Sequence, residues 1–397
     1  MQVLKVVKMK IVLITNIVNH YMLPLVEELN FIGGVEAYFV ETDPLPESLK
    51  KGGFSNYEDD HSIIRTWKGR EYWNTAMELA LDSDVMIIGS SSPKVFVQKR
   101  LAKGLLTFEY SERPLKRGWL NYLSPTNMRN QYYYHLVLGN KPLYMLCYSA
   151  FTALDEYKMH SFRGRCYKFG YLPRIENVDV DKYLKFKRQE GKIKMVWCAR
   201  FIKWKHPELP VLLAMKLVND GYDFEINMIG SGVLFEKTKK LILKNNLQNH
   251  VHLLGNYPNK EVLKIMRMHD VFLFTSDKRE GWGVVLNEAM GQVCCPVASN
   301  LIGATPYLLS HKKNGMIFES ENLESLYGSV KYLLDNPTLM KEYALNAYHT
   351  VFEMWNPKFV AERFCNLCNA LLSGSVTPYE SGPCSLAAPT DCNISFE

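Results

Sequence analysis

The chain has 397 residues, 47% of them hydrophobic, 12% aromatic and 22% charged. At about 100–200 residues per domain, that length predicts two or three domains, and the apolar content excludes a mostly disordered protein. No uninterrupted apolar run reaches the roughly 18 residues a membrane helix needs, and the net charge of +6 is modest but unevenly spread.

Residues 1–19 are apolar enough to suggest a leader, yet they contain Asn16 and Asn19 and lack a small-residue cleavage site. They read as a buried first strand, with Met9 as a second candidate start. Short apolar runs then predict strands over 11–15, 35–40, 85–89, 105–109 and 143–148, with helices over 21–31, 72–81, 94–103 and 150–159 between some of them. Between Lys94 and Arg129 lie eight basic residues (Lys94, Lys99, Arg100, Lys103, Arg113, Lys116, Arg117 and Arg129), opposed only by Glu109 and Glu112. Interleaved with Leu105, Phe108, Trp119 and Tyr122, they suit an anionic membrane face. Nucleic acid is not expected, because no nucleic-acid-binding motif accompanies the patch.

The polar stretch 173–192 reads as a linker. Beyond it the alternation is cleaner: strands over 193–198, 224–229, 251–254 and 271–275, and helices over 234–245, 260–268 and 284–291. A further helix starts at Pro207, where a missing N–H costs nothing. Alternation of this kind predicts parallel sheets with helices on both faces. More helices follow Pro337, including one over 357–372, and the Ser/Pro/Gly/Thr-rich tail 373–397 is expected to be disordered. Of nine cysteines, Cys147, Cys198, Cys294 and Cys295 sit in apolar runs, as reduced core thiols of a cytoplasmic protein would. Cys365 and Cys368 form a CxxC with no second pair and no nearby His, and read as helix positions rather than zinc ligands.

Three motifs carry chemistry, each between a strand and a helix. Glu280-Gly281-Trp282-Gly283-Val284-Val285-Leu286-Asn287-Glu288 places two glycines at a strand-to-helix turn, where bare N–H groups and the helix dipole favour an anion or sugar hydroxyls. Glu280 precedes that helix and Glu288 lies inside it, so the two suit different parts of one long ligand. Arg200 and Lys205 follow the 193–198 strand, where two cations can neutralise a diphosphate. Gly230-Ser231-Gly232 ends the 224–229 strand and permits close backbone approach. All three fall at carboxyl ends of strands of one sheet, where open α/β folds bind ligands. Together they argue for a phosphorylated ligand with a sugar-like part.

With these residues in place, 193–372 resembles the retaining glycosyltransferases of family 4, of the "glycosyl transferases group 1" type. Glu280 and Glu288 look like the family's Glu-x7-Glu acids, and Arg200 and Lys205 like its Arg/Lys pair. Asn227-Met228-Ile229-Gly230-Ser231-Gly232, His252-Leu253-Leu254-Gly255 and Asn314-Gly315 before Met316-Ile317-Phe318 also match. The resemblance implies an α/β GT-B fold, two Rossmann-like parallel-sheet domains facing a central cleft. It divides the chain into an acceptor-binding domain 1–172, the linker 173–192, a nucleotide-sugar domain 193–355, a crossover helix 356–372 and the tail.

The resemblance further implies catalytic roles for Arg200, Lys205 and Glu280, the first two holding the donor diphosphate and the last bonding sugar hydroxyls. Glu288 would bond the ribose, backbone groups of Gly281, Trp282, Gly283, Val284 and Val285 the phosphates and sugar, and the loop 256–261 the base. Gly230, Ser231 and Gly232 complete the donor side. It implies retention and no metal or other cofactor. No convincing Asp-x-Asp motif contradicts this; Asp179-Val180-Asp181 lies in the linker. The expected partners are a nucleotide-sugar, UDP-linked by default, and a glycan or lipid-linked acceptor, at the inner membrane face, in cell-surface polysaccharide or glycolipid synthesis. His20, Glu109 and Glu112 are the acceptor-side candidates. Two other readings are a GT-B epimerase of sugar nucleotides and a silent nucleotide-binding partner subunit. Three departures from the family stand out: no glycine in Thr15-Asn16-Ile17-Val18-Asn19-His20, His206 after Lys205, and Val293 at a turn where glycine is common.

Overall fold

The computed structural model describes residues 9–394 apart from 19–20, 47–56, 58–59, 61, 117, 119, 121–122 and 188–190. The chain forms two compact units. One takes the described residues up to Arg174 together with Trp355–Asp391, the other Ile175–Met354 with the residues from Cys392.

The first unit is built on seven parallel strands: β1 (Met9–Thr15), β2 (Val35–Glu41), β3 (Ile63–Arg65), β4 (Val85–Gly89), β5 (Leu106–Ser111), β6 (Leu143–Cys147) and β7 (Cys166–Lys168). Their order is β3-β2-β1-β4-β5-β6-β7. Near-continuous apolar strands such as β4, buried at all five positions, are what a parallel sheet covered on both faces requires. One face packs on the helices Leu23–Phe31 and Pro357–Ser373, through Leu25, Leu29, Phe364 and Leu367. The other packs on Arg70–Asp82 and Val95–Ala102, through Ala76, Ala80, Phe96 and Val97. The helix Pro357–Ser373 thus returns to the first unit, capped by Asn356, whose side chain accepts the Phe359 N–H, and closed by Gly374 at φ +69°.

The described part of the tail is ordered, not disordered as composition suggests. Its backbone adds to the open edge of β7: Lys168 N–H donates to Ser385 O and Ala387 N–H to Cys166 O, both at 2.8 Å, and Cys384 is wholly buried. An unpaired sheet edge supplies partners that no local pattern announces. Cys365 and Cys368 face the core of this unit as ordinary helix positions, and all nine cysteines are free.

The second unit carries β8 (Ile193–Cys198), β9 (Phe224–Ile229), β10 (Val251–Gly255), β11 (Val271–Phe274), β12 (Cys295–Ser299) and β13 (Met316–Phe318), all parallel, in the order β10-β9-β8-β11-β12-β13. The direction of winding reverses between β8 and β11, the switch point at which such sheets open a crevice. The stretch 173–192 is no free linker. The units divide after Arg174, and Ile175, Val178, Val180, Tyr183 and Leu184, the last three on the helix Val180–Phe186, pack against the second core. Its charged residues masked that spacing. Asp179 caps this helix by accepting the Lys182 N–H at 3.0 Å. Pro207 is the residue before the helix Glu208–Asn219 rather than its first, because His206 turns the chain at φ +51°.

Half of the basic residues of the stretch 94–129 are consumed within the first unit, while Lys99, Lys103 and Arg129 stay exposed. Arg100 is wholly buried, Lys94 pairs with Glu109 at 2.6 Å, Arg113 with Asp155 at 3.2 Å and Lys116 with Glu112 at 2.6 Å. Phe108 is core rather than surface. Trp119, Tyr122 and Arg117 lie outside the described residues.

Candidate functional site

The register of β8 on β11 sets Trp197 beside Leu273, so the loops leaving these two strands emerge side by side. The first loop carries Arg200 and Lys205, the second Glu280, and the Lys205 ammonium closes an ion pair on the Glu280 carboxylate. Both side chains are nearly buried, at 11% and 12% exposure, so the pair is only weakly screened by solvent. The Lys205 Nζ also lies 4.3 Å from the Trp204 ring centroid, a cation–π distance. The loop is held from below: Thr275 Oγ1 donates to Lys205 O at 2.7 Å and accepts from Trp197 Nε1 at 2.8 Å, and Asp277 N–H donates to Trp204 O at 3.0 Å. Arg200 is exposed, its guanidinium 5.9 Å from the Trp204 ring.

Gly230 and Gly232 end β9 beside the same loop. A β-carbon on Gly230 would sit 2.0 Å from Ala199 O, and one on Gly232 2.6 Å from Phe201 O. Backbone there runs against backbone, with Phe201 N–H donating to Ser231 O at 2.8 Å, so only glycine fits. Gly283, at φ +90°, passes over Phe274, whose ring would stand 2.5 Å from an added β-carbon. The helix Val285–Gly291 follows. Trp282 points away from any ligand. It is wholly buried, its indole N–H bonded to Asn287 Oδ1 at 2.9 Å, so only its backbone can serve.

Glu288 lies in the first turn of that helix and accepts a hydrogen bond from Asn259 Nδ2 at 2.8 Å. Burial pushes its carboxyl up to about 7, with the Asn259 bond pulling the other way. Arg200, Lys205, Gly230, Ser231, Gly232 and Glu280 to Glu288 all fall at carboxyl ends of β8, β9 and β11, as the motif reading expects. That reading missed the supports: Trp204, Thr275 and Asp277, whose roles lie in contacts between loops rather than in a local pattern.

His206 occupies a left-handed position, a conformation that favours glycine. Its imidazole lies 2.9 Å from Glu208 Oε1, which raises its pKa, aided by Glu321 and Asp277. Val293 is likewise left-handed at φ +61°, fully buried, and the Lys187 ammonium donates to its carbonyl at 2.6 Å.

In the first unit, Glu109 lies within β5, two residues before its end, and lines a cavity of about 440 Å³ shared with Ser90, Lys94, Tyr134, His135 and Glu156. Burial pushes Glu156 up to about 8, despite a bond from the Ser161 hydroxyl, and drives His135 down to about 4. Glu156 was not anticipated. A carboxyl on the inner face of the helix Thr152–Lys158 is the only trace it leaves in the sequence. Glu112 lies apart from this cavity's lining, bonded to Lys116 and to Tyr171 Oη at 3.2 Å. His20 lies outside the described residues.

Residues 181–350 match the family model described as glycosyl transferases group 1. An uncharacterised glycosyltransferase of Methanocaldococcus jannaschii is 26% identical over 208 residues, covering 51% of this chain and 51% of its own. The poly(ribitol-phosphate) alpha-N-acetylglucosaminyltransferase of Staphylococcus aureus is 24% identical over 172 residues, 43% of this chain and 34% of its own. The chain therefore spans about half or less of the length of these curated relatives. Among solved structures, the Anabaena protein HepE in complex with UDP superposes with a TM-score of 0.66 at 14% identity, over 92% of this chain and 100% of that one. At that identity the likeness concerns fold. The chain thus has the GT-B fold, and its residues 181–350 are similar to the glycosyl transferases group 1 family.

Proposed function

We propose that the protein is a retaining glycosyltransferase of family 4, moving a hexosyl residue from a UDP-sugar to a glycan or lipid-linked acceptor in cell-surface polysaccharide or glycolipid synthesis. The observation that carries this reading is the buried Lys205–Glu280 pair, held at the switch point between β8 and β11 beside glycines that tolerate no side chain. Arg200 and Lys205 receive the negative charge that grows on the diphosphate as the bond to the anomeric carbon breaks. Preorganised cations in a poorly solvated site lower that barrier without a metal on the phosphates. The leaving diphosphate takes the electron pair. The acceptor oxygen bonds to the anomeric carbon on the same face, and its proton passes to a leaving phosphate oxygen. Glu280 accepts from sugar hydroxyls, and Glu288, as a carboxylate, from the ribose.

The acceptor side falls to the first unit, where Glu109 and the cavity around it offer acid, hydroxyl and imidazole groups to a polyhydroxylated ligand. The acceptor class is supported by the polymer named for the S. aureus relative. No helix among the described residues is long and apolar enough to cross a membrane. Contact with an anionic membrane face rests on Leu120, Leu123, Met128, Tyr132, Leu136 and Val137, all exposed, with the exposed Arg129 among them. Apolar side chains crowded into so short a span of surface suit a lipid boundary.

Thermal stabilisation by UDP, GDP and ADP, alone and sugar-linked, tests the reading, because a ligand of the folded state raises its stability by mass action. A rise in Tm with the uridine compounds alone is expected. No rise with any nucleotide overturns the donor site.

A further inference from the structure

We propose that His206, Asp277 and Glu321 form a binding site for one divalent transition-metal ion, Zn²⁺ by its donor set, which ties together the loops that carry Lys205 and Glu280. One ligand atom from each of the three lies within 4.8 Å of the others, and among the described residues no other three such side chains converge in this way. The family resemblance implies no metal, and the site is made of residues that the donor reading leaves unused.

The second observation is the imidazole itself. His206 is 8% exposed, and its Nε2 is buried without a hydrogen-bond partner. Asp277 Oδ2 stands 3.5 Å away, too far for a good hydrogen bond but close to the spacing of neighbouring ligands on a tetrahedral ion with bonds of about 2.0–2.1 Å. A buried nitrogen left unsatisfied is costly, and an ion at this point removes the cost.

The other ring nitrogen is also arranged for metal binding. Nδ1 lies 2.9 Å from Glu208 Oε1, so the Nδ1–H donates to a carboxylate and leaves the Nε2 lone pair free. That carboxylate–histidine order fixes the tautomer and raises the ligand's basicity, as around protein-bound zinc. Imidazole nitrogen with two carboxylates favours a first-row transition ion over Mg²⁺ or Ca²⁺, which prefer oxygen alone. Glu321 is exposed and gives the ion a path from solvent, and three protein ligands leave a fourth position for water.

The consequence is mechanical. His206 follows Lys205 directly, Asp277 belongs to the loop that ends in Glu280, and Glu321 lies just beyond β13. An ion held by all three fixes the turn after β8 to the turn after β11 while leaving the phosphates to Arg200 and Lys205.

The test uses the full chain, stripped with a chelator and titrated with Zn²⁺, with Mg²⁺ as the comparison. One Zn²⁺ per chain is expected, with a rise in Tm that Mg²⁺ does not give. His206→Asn should weaken Zn²⁺ binding at least a hundredfold. Glu321→Gln, a surface change that keeps the fold, should weaken it about tenfold. Co²⁺ in place of Zn²⁺ should give visible d–d bands without thiolate charge-transfer absorption, which separates this site from the nine cysteines. Absence of stoichiometric binding, unchanged affinity in Glu321→Gln, or a thiolate spectrum overturns the site. Metal binding is read directly, so neither result depends on whether the chain transfers sugar.

Discussion

Glu288 makes the donor reading answerable to pH. Burial holds its carboxyl up to about 7 against an ordinary 4.5. A ribose held by two hydroxyl-to-carboxylate bonds needs the ionised form. If the nucleotide-sugar binds only that form, its apparent affinity falls by the factor 1 + 10^(pKa−pH), about elevenfold at pH 6 and about 1.1-fold at pH 8. Binding should therefore be about tenfold weaker at pH 6 than at pH 8, a difference of about 1.4 kcal/mol. The free protein has the opposite slope. A carboxyl whose folded pKa is raised binds its proton more tightly in the folded state, so this group's contribution to stability falls as pH rises from about 4.5 through 7. The assay is titration calorimetry with an intact UDP-sugar, because a terminal phosphate would itself titrate near pH 6. In Glu288→Gln the slope should vanish, and affinity at pH 8 should drop about 10- to 100-fold with the loss of charge-assisted bonds of about 1.5–3 kcal/mol. Equal affinity at pH 6 and 8 in the unaltered protein, or the same slope surviving in Glu288→Gln, would refute the assignment.

The ion pair at the switch point should behave as a coupled unit. Lys205→Met leaves Glu280 nearly buried and unpaired, at an expected cost of about 2–3 kcal/mol in urea unfolding. The double variant Lys205→Met/Glu280→Gln should recover at least half of that stability while nucleotide-sugar binding stays lost, and strict additivity of the two changes would deny the coupling. If Arg200 and Lys205 take the role of the cation on the diphosphate, as proposed, adding Mg²⁺ should leave donor affinity unchanged. A tenfold tightening would show that a metal bridges the phosphates. In the first unit, the wholly buried Arg100 donates to the carbonyls of Ala80, Ser83, Asp84 and Leu106 and to Thr107 Oγ1. Arg100→Met strands these acceptors and should cost about 3–5 kcal/mol; a loss below about 1 kcal/mol would mean that water replaces the guanidinium.

Legibility followed strand length and burial. β8 and β9 are near-continuous apolar runs between turn residues, and their predicted limits match the observed ones. β3 and β7, three residues each at the two sheet edges, are too short to show a period. β12 hid behind Pro296, which looks wrong for an inner strand. The register explains it: Cys295 N–H donates to Asp270 O, so the next residue turns its nitrogen toward β13, whose pairing begins only at Val297. Arg100 was read as part of a basic surface because nothing local marks it as buried; its acceptors come from segments around 80–84 and 105–107. The tail misled for the same reason, since its partner is the edge of β7, more than 200 residues earlier.

The two halves of the candidate machinery differ in how the sequence encodes them. Arg200 and Lys205 sit within seven residues of the end of β8, and Glu280, Gly283 and Glu288 span nine positions after β11, so each part of the candidate donor site is one strand, one turn and one helix start. Such a unit works only with particular residue types at fixed spacing, which makes it readable as a motif. The cavity of the first unit takes Lys94, Glu109, Tyr134, His135 and Glu156 from separate elements. What matters there is that sheet packing buries a carboxyl enough to keep it protonated near pH 7 and an imidazole enough to keep it neutral. Each of those residues can change without disturbing a local turn, so no spacing rule constrains them. Under the proposed function, a site that selects among acceptors gains from that freedom, and a site that grips a diphosphate does not.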